Sequence, residues 1–320
     1  MKRTLFIVAI GLAAAGGCKK KSSTTEPATG SATGSAAEPV ASGSGSAAQG
    51  SAEPAPSAIT VEGLSTPESV LFDEAGDRYI VSNINGQPAA ADDNGFLSVV
   101  TPSGEATKWI DGAKPDVKLD APKGMAISGD MLWVADITVV RRFDLKTGAQ
   151  KDDVKIKGAT FLNDVVSDGA GGVYVSDSGL DASFKPTGTD AIYQIDTAGK
   201  VTPRAKDKAL GAPNGLVRAA DKLWAVTFGT GEVYEVDAKG AKQNVSKPPK
   251  GQLDGIVALE GGDVLVSSWE GKAVYRNTPG GEWKEVISGV ESPADIGWDS
   301  KRKRVLIPLF AQNKVMIQPL

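Results

Sequence analysis

Six short motifs each set a polar side chain just before an apolar run: Glu68 in "TPESVLFD", Lys123 in "APKGMAIS", Asn163 in "FLNDVVSD", Asn214 in "APNGLVRA", Asp254 in "QLDGIVAL" and Asp295 in "SPADIGWD". Glu68, Asn163, Asn214 and Asp254 together offer two carboxylates and two amide carbonyls, an all-oxygen set suited to calcium or another hard divalent ion. The same residue types at strand starts also make turns, with a following glycine easing the bend, and on the motifs alone the two readings weigh equally. The chain contains no histidine, and Cys18 is its only cysteine. That excludes Ser-His-Asp and Cys-His catalysis and zinc sites built on imidazole or thiolate. Walker and dinucleotide glycine patterns are absent, and "AADDNG" (residues 90–95) lacks the alternating oxygens of a calcium loop. Any metal must therefore be held by oxygen.

The elements that position these residues repeat. The six anchors are separated by 55, 40, 51, 40 and 41 residues, a period typical of propeller blades. After each anchor come a second strand such as "DRYIVSN" or "KLWAVTF" and a third such as "AIYQIDT", rich in Val, Ile, Tyr and Trp. Five units have a more polar fourth strand, while the sixth lacks one, and "AITVEGL" precedes the first anchor without a unit of its own. Pairing that segment onto the last unit closes the ring and removes its exposed edge. The expectation is an all-β, six-bladed β-propeller of four-stranded antiparallel blades, closed by an N-terminal strand at about 59–64. In such a ring the anchors converge on one mouth of the central channel. The ends of the second strands, Asp177 and Trp269 among them, reach the same mouth. The segments Ile84 to Phe96, Pro115 to Ala121 and Gly179 to Asp190 are expected to form its rim.

Residues 58–320 resemble the SMP-30/gluconolactonase/LRE-like family of six-bladed propellers through "PESV", "LNDVVSDGAGGVYVSDSG", "PNGL" and "LDGIV" in that order. Carried over by position, the resemblance implies that Glu68, Asn214 and Asp254 bind a divalent metal, commonly calcium. It also implies that Asn163 contacts substrate or completes the metal's shell, and that Asp254 serves in acid/base work as well. Lys123, Asp295 and Asp177 complete the expected substrate-binding set. An ammonium at Lys123 would cost metal binding unless Asp295 or Asp254 pairs with it. The function expected is metal-dependent hydrolysis of a lactone or similar cyclic ester; the alternative is a non-catalytic binding or scaffold propeller using the same mouth.

The opening "MKRTLFIVAIGLAAAGGC" has a basic start, a short apolar core and small residues before Cys18, the layout of a secretory signal, and its end resembles a bacterial lipobox. The expected organisation is a signal peptide at 1–17, a lipidated Cys18 and a Ser/Gly/Ala/Pro-rich tether to 57, then the propeller at 58–320. The tether has too few large apolar residues to pack and would span roughly 35 Å as a flexible chain. The expected location is an exported, lipid-anchored one, at the outer membrane or at the cell surface or periplasm. Residues 58–320 carry 30 basic and 36 acidic side chains, a net charge of −6, which argues against nucleic acid as a partner. A small molecule at the mouth and a membrane through the lipid are the expected partners, with the protein a monomer.

Overall fold

A computed structural model describes residues 57–219, 221–278 and 280–320; the expected signal peptide, Cys18 and nearly all of the tether lie outside them. Six four-stranded antiparallel sheets follow one another. Blade 1 comprises Pro67–Asp73, Arg78–Asn83, Phe96–Val100 and Ala106–Asp111. Blade 2 runs through Pro122–Ser128, Met131–Asp136, Val139–Asp144 and the short Val154–Lys155. Blade 3 holds Leu162–Ser167, Val173–Asp177, Ala191–Ile195 and Val201–Lys206. Blades 4 and 5 have inner strands Pro213–Ala219 and Leu253–Ala258, second strands Lys222–Thr227 and Val264–Ser268, and end with Lys242–Ser246 and Lys284–Ser288.

Blade 6 is built from both ends of the domain. Gly297–Asp299, Arg304–Leu309 and Lys314–Pro319 are completed by Ile59–Val61, with Ile59 opposite Ile317 and Val61 opposite Val315. The closing strand is shorter than the sequence pattern suggests, although Leu64 beyond it is still buried in the same cluster. Each inner strand lies beside the next, and the sixth lies beside the first. That last seam is sealed by backbone bonds from Asp295 N to Glu68 O (2.9 Å) and from Val70 N to Asp295 O (3.3 Å).

The apolar core is divided into six clusters, one at each interface between neighbouring blades. Trp133 and Val140 of blade 2 pack with Val165 and Val175 of blade 3, and Val61, Leu306 and Val315 of blade 6 pack with Tyr79 and Val81 of blade 1. This follows from the period-two alternation of the strands, which gives each sheet two apolar faces and a blade to cover each. Among the described residues there is no α-helix, only the 3-10 turns Lys208–Leu210 and Phe310–Gln312, and no helix long and apolar enough to cross a membrane.

Candidate functional site

Each of the first five inner strands begins with a β-bulge. Pairing slips between Pro67 and Val70, Pro122 and Met125, Leu162 and Val165, Pro213 and Leu216, and Leu253 and Ile256. Two residues of the inner strand therefore oppose one of the second, which re-aims their side chains and leaves an N–H to satisfy. Serines of the second strands do this in blades 1, 3 and 5: Ser82 Oγ accepts from Ser69 N at 2.9 Å, Ser176 Oγ from Asp164 N at 2.8 Å, and Ser267 Oγ from Gly255 N at 2.8 Å. The first bulge position carries Glu68, Lys123, Asn163, Asn214 and Asp254, all buried.

The second bulge position explains the recurring glycine, and not as a turn residue. A Cβ on Gly215 would lie 2.4 Å from the Asp254 carbonyl, one on Gly255 2.3 Å from Ile296 N, and one on Gly124 2.2 Å from the Asp164 carboxyl. None of these three glycines has positive φ. Glycine is needed there because the next blade's backbone fills the space.

In blade 6 the register corrects the sequence expectation. Pro293 bridges to Leu309 as Pro213 pairs with Thr227, so Ala294 stands at the anchor position and Asp295 at the second bulge position, beside Ser69. The Ser69 hydroxyl donates to Asp295 Oδ2. Asp295, Ser69 and Asp164 line a channel cavity of about 450 Å³ that also touches Glu74, Arg218 and Trp298. The five polar anchors are not among the residues lining this cavity.

Asp177 is also placed differently from the expectation. It is buried, and its Oδ1 accepts from Phe161 N (2.9 Å) and Gly179 N (3.1 Å), pinning the segments on either side of it. Asp136 does the same for Ala121 N (2.7 Å) and Asn83 for Ser65 N (3.0 Å). Second-strand ends thus fasten loops. The residues that do reach the anchors come one position later: Ser178, whose hydroxyl accepts from Asn163 Nδ2 at 3.1 Å, and Trp269, whose Nε1 donates to Asp254 Oδ2 at 2.7 Å. Ser178 escaped the sequence reading because one hydroxyl in "SDSG" is unmarked; its offset from the second strand is the signal that finds it. Trp269 also packs against Phe228 and Phe310, with ring centroids 5.8 and 5.2 Å away.

Four carboxyls in this region, Glu68, Asp164, Asp254 and Asp295, titrate above their ordinary range, chiefly because burial disfavours their charge. Glu68 is pushed further by Asp254 and Asp295, and Asp254 by Asp295. The Trp269 indole and the Asn214 amide pull Asp254 back. Asp295 is raised to about 7, opposed by the hydroxyl of Ser69. Burial lowers Lys123, and Glu68 is the strongest charge resisting that shift.

Among the described residues no three carboxylate, imidazole or thiolate side chains are grouped to hold an ion by themselves. A carboxamide has to take part. Among the described residues, four buried carboxyl or amide oxygens lack a protein hydrogen-bond partner, and three of them are Glu68 Oε2, Asn214 Oδ1 and Asp254 Oδ1. These come from the same register position of blades 1, 4 and 5, and uncompensated buried acceptors of this kind are costly. Their chemistry fits a hard divalent cation, two carboxylates and an amide carbonyl being oxygen donors of the type such ions take.

A sequence profile described as "SMP-30/Gluconolactonase/LRE-like region" matches residues 66–298. No curated protein sequence matches the chain. Among solved structures, a gluconolactonase from Xanthomonas campestris is similar with a TM-score of 0.65 at 18% identity, over 82% of this chain and 89% of that one. A streptogramin B lyase is similar at 0.59 and 13% identity, over 81% and 97%. Virginiamycin B lyase from Staphylococcus aureus is similar at 0.58 and 14% identity, over 82% and 100%. Likeness at these identities speaks to the fold alone.

Proposed function

The chain belongs to the SMP-30/gluconolactonase/LRE-like family, and from that footing we propose that it hydrolyses a lactone or similar cyclic ester with the help of a divalent cation, calcium first among the choices. The observation that carries this reading is the trio of unpartnered buried oxygens on Glu68, Asn214 and Asp254. A cation held there supplies Lewis acidity to a substrate carbonyl and makes a water easier to deprotonate.

The side chains divide the remaining work. Asp254 leaves Oδ1 without a protein partner while Oδ2 is anchored by the Trp269 indole, so one carboxyl is both oriented and kept from swinging. Held in one orientation by the indole, it is the carboxylate placed to accept the proton of an attacking water. Asn163, held through Nδ2 by Ser178, keeps its carbonyl oxygen for a substrate hydroxyl. Ser178 in turn donates to the Pro213 carbonyl at 2.8 Å, tying this substrate-facing amide to the strand that carries Asn214.

A second reading, a binding propeller without catalysis, draws support from the burial of all five polar anchors, which leaves little of the ring open to solvent. One experiment separates the two: purify the full chain, measure bound metal, and assay a lactone panel with and without chelator. Turnover lost on chelation and regained with calcium supports the hydrolase; a protein inactive on every lactone, whatever its metal content, leaves the binding reading. The lipid anchor at Cys18 and the exported location are further proposals resting on the N-terminal motif alone, tested by whether Cys18→Ala abolishes metabolic labelling with a fatty acid.

A further inference from the structure

Lys123 occupies the anchor position of blade 2, in register with Glu68, Asn163, Asn214 and Asp254, and is 1% exposed. Neither of the carboxylates expected to pair with it does so. Its Nζ donates to the Ala121 carbonyl at 2.9 Å and lies 4.7 Å from the centroid of the Phe161 ring. Among the described residues no carboxylate forms a salt bridge with it, while Glu68 holds the equivalent position on the adjoining inner strand of blade 1. Asp136 and Asp120, on either side of the start of its own strand's hairpin, are engaged by Arg141 at 2.7 and 2.9 Å. Glu68 for its part leaves Oε2 without a partner. A buried ammonium and a buried carboxyl therefore act on one another without closing into contact, in the same ring as the other unpartnered oxygens.

Four buried carboxyls, Glu68, Asp164, Asp254 and Asp295, share this region with that single lysine. Charges taken out of water need compensation, and whichever cation arrives first reduces what a second can gain. We infer that Lys123 is a built-in cation that competes with the divalent ion for Glu68, so that the ring folds without metal and holds metal weakly and exchangeably. The inference rests on Glu68, Asn214 and Asp254 being the metal site. It assigns Lys123 to tuning the ion, in place of contacting the substrate. The methylene stem and the Phe161 contact place the ammonium, and the Coulomb field of Glu68 gives it its effect.

The test uses the full chain and reads binding and folding, not turnover. Lys123→Met keeps the stem and removes the charge; Lys123→Gln is the second, more polar variant. Calcium, magnesium and manganese are titrated by calorimetry into chelator-stripped protein, and thermal unfolding is followed with and without calcium. Both variants are expected to bind calcium at least tenfold more tightly than the parent, to melt at lower temperature without metal, and to regain the loss on adding calcium. Affinity unchanged or weaker in both variants overturns the inference. So does failure of both to fold in saturating calcium, since the added ion should replace the missing charge. A parent and variants that bind none of the three ions overturn it together with the metal site. Metal retained by Glu68→Gln, Asn214→Ala and Asp254→Asn, each made singly, sinks the site assignment. Lactone turnover that needs no metal leaves the catalytic reading standing in altered form while removing this one.

Discussion

The indole Nε1 of Trp269 donates to Asp254 Oδ2 at 2.7 Å, so the two oxygens of one carboxyl have different fates, one fixed by a neighbour and one without a protein partner. Groups that orient a metal-binding side chain in this way are commonly worth about 10–100-fold in affinity or activity. Trp269→Phe retains a ring to pack against Phe228 and Phe310 but loses the donor. It is expected to weaken calcium binding by about tenfold in calorimetry and to lower lactone turnover in proportion; values within twofold of the parent would show that the indole merely packs.

Blade-to-blade contact at the anchors predicts an outcome at a residue with no chemistry of its own. Gly215→Ala forces a carbon to within 2.4 Å of the Asp254 carbonyl. Overpacking of this kind costs about 1–3 kcal/mol, read by urea denaturation. Because the displaced backbone carries Asp254, metal affinity should fall with stability. Gly86→Ala, where the added carbon meets nothing closer than 3.9 Å, serves as the control and should be near neutral.

Asp295 titrates near 7 in the folded chain against an ordinary value of 3.8. A raised carboxyl favours the protonated fold, so its contribution is complete below its ordinary value and is lost as pH climbs through about 7. Glu68, Asp164 and Asp254 shift in the same direction and add to the loss. Metal-stripped protein should therefore melt at progressively lower temperature from pH 5 to pH 8. Asp295→Asn, which keeps an acceptor for Ser69, should flatten that slope; an unchanged slope would mean the buried carboxyls do not govern it.

Closure of the ring predicts a sharp contrast between adjacent residues. Val61 is fully buried opposite Val315, while Thr60 beside it is exposed. Val61→Asp should cost about 3 kcal/mol or more, since a carboxylate would be stranded in an apolar cluster, and Thr60→Asp should change little. Equal effects at the two positions would show that Ile59–Val61 does not complete blade 6.

The fold was legible because a propeller writes itself locally: short β-branched runs, turns between them and a period near 40 residues, with one unit visibly short of a strand. The site was legible in part. Glu68, Asn163, Asn214 and Asp254 fall at the predicted register, whereas "SPADIG" offers a single polar residue one step past the anchor, and only the Pro293–Leu309 pairing reveals the unmarked Ala294 there. The surroundings of Lys123 were hidden because its aromatic neighbour, Phe161, comes from the segment leading into the next blade. The glycines misled for a similar reason: what excludes a Cβ is the backbone of another blade, about 40 residues away.

The strand that finishes blade 6 also orders events in time. Ile59 meets Ile317 across more than 250 residues, so the first of the described strands to emerge, from the ribosome or from an export channel, is among the last to find its partner. Blades 1 to 5 each draw their strands from one contiguous stretch and can form as they emerge, but the seam between blades 6 and 1 waits for Lys314–Pro319. Until then the nascent ring has a free sheet edge and an unpacked apolar face, the condition in which slow, long-range pairings are most exposed to aggregation and to capture by chaperones.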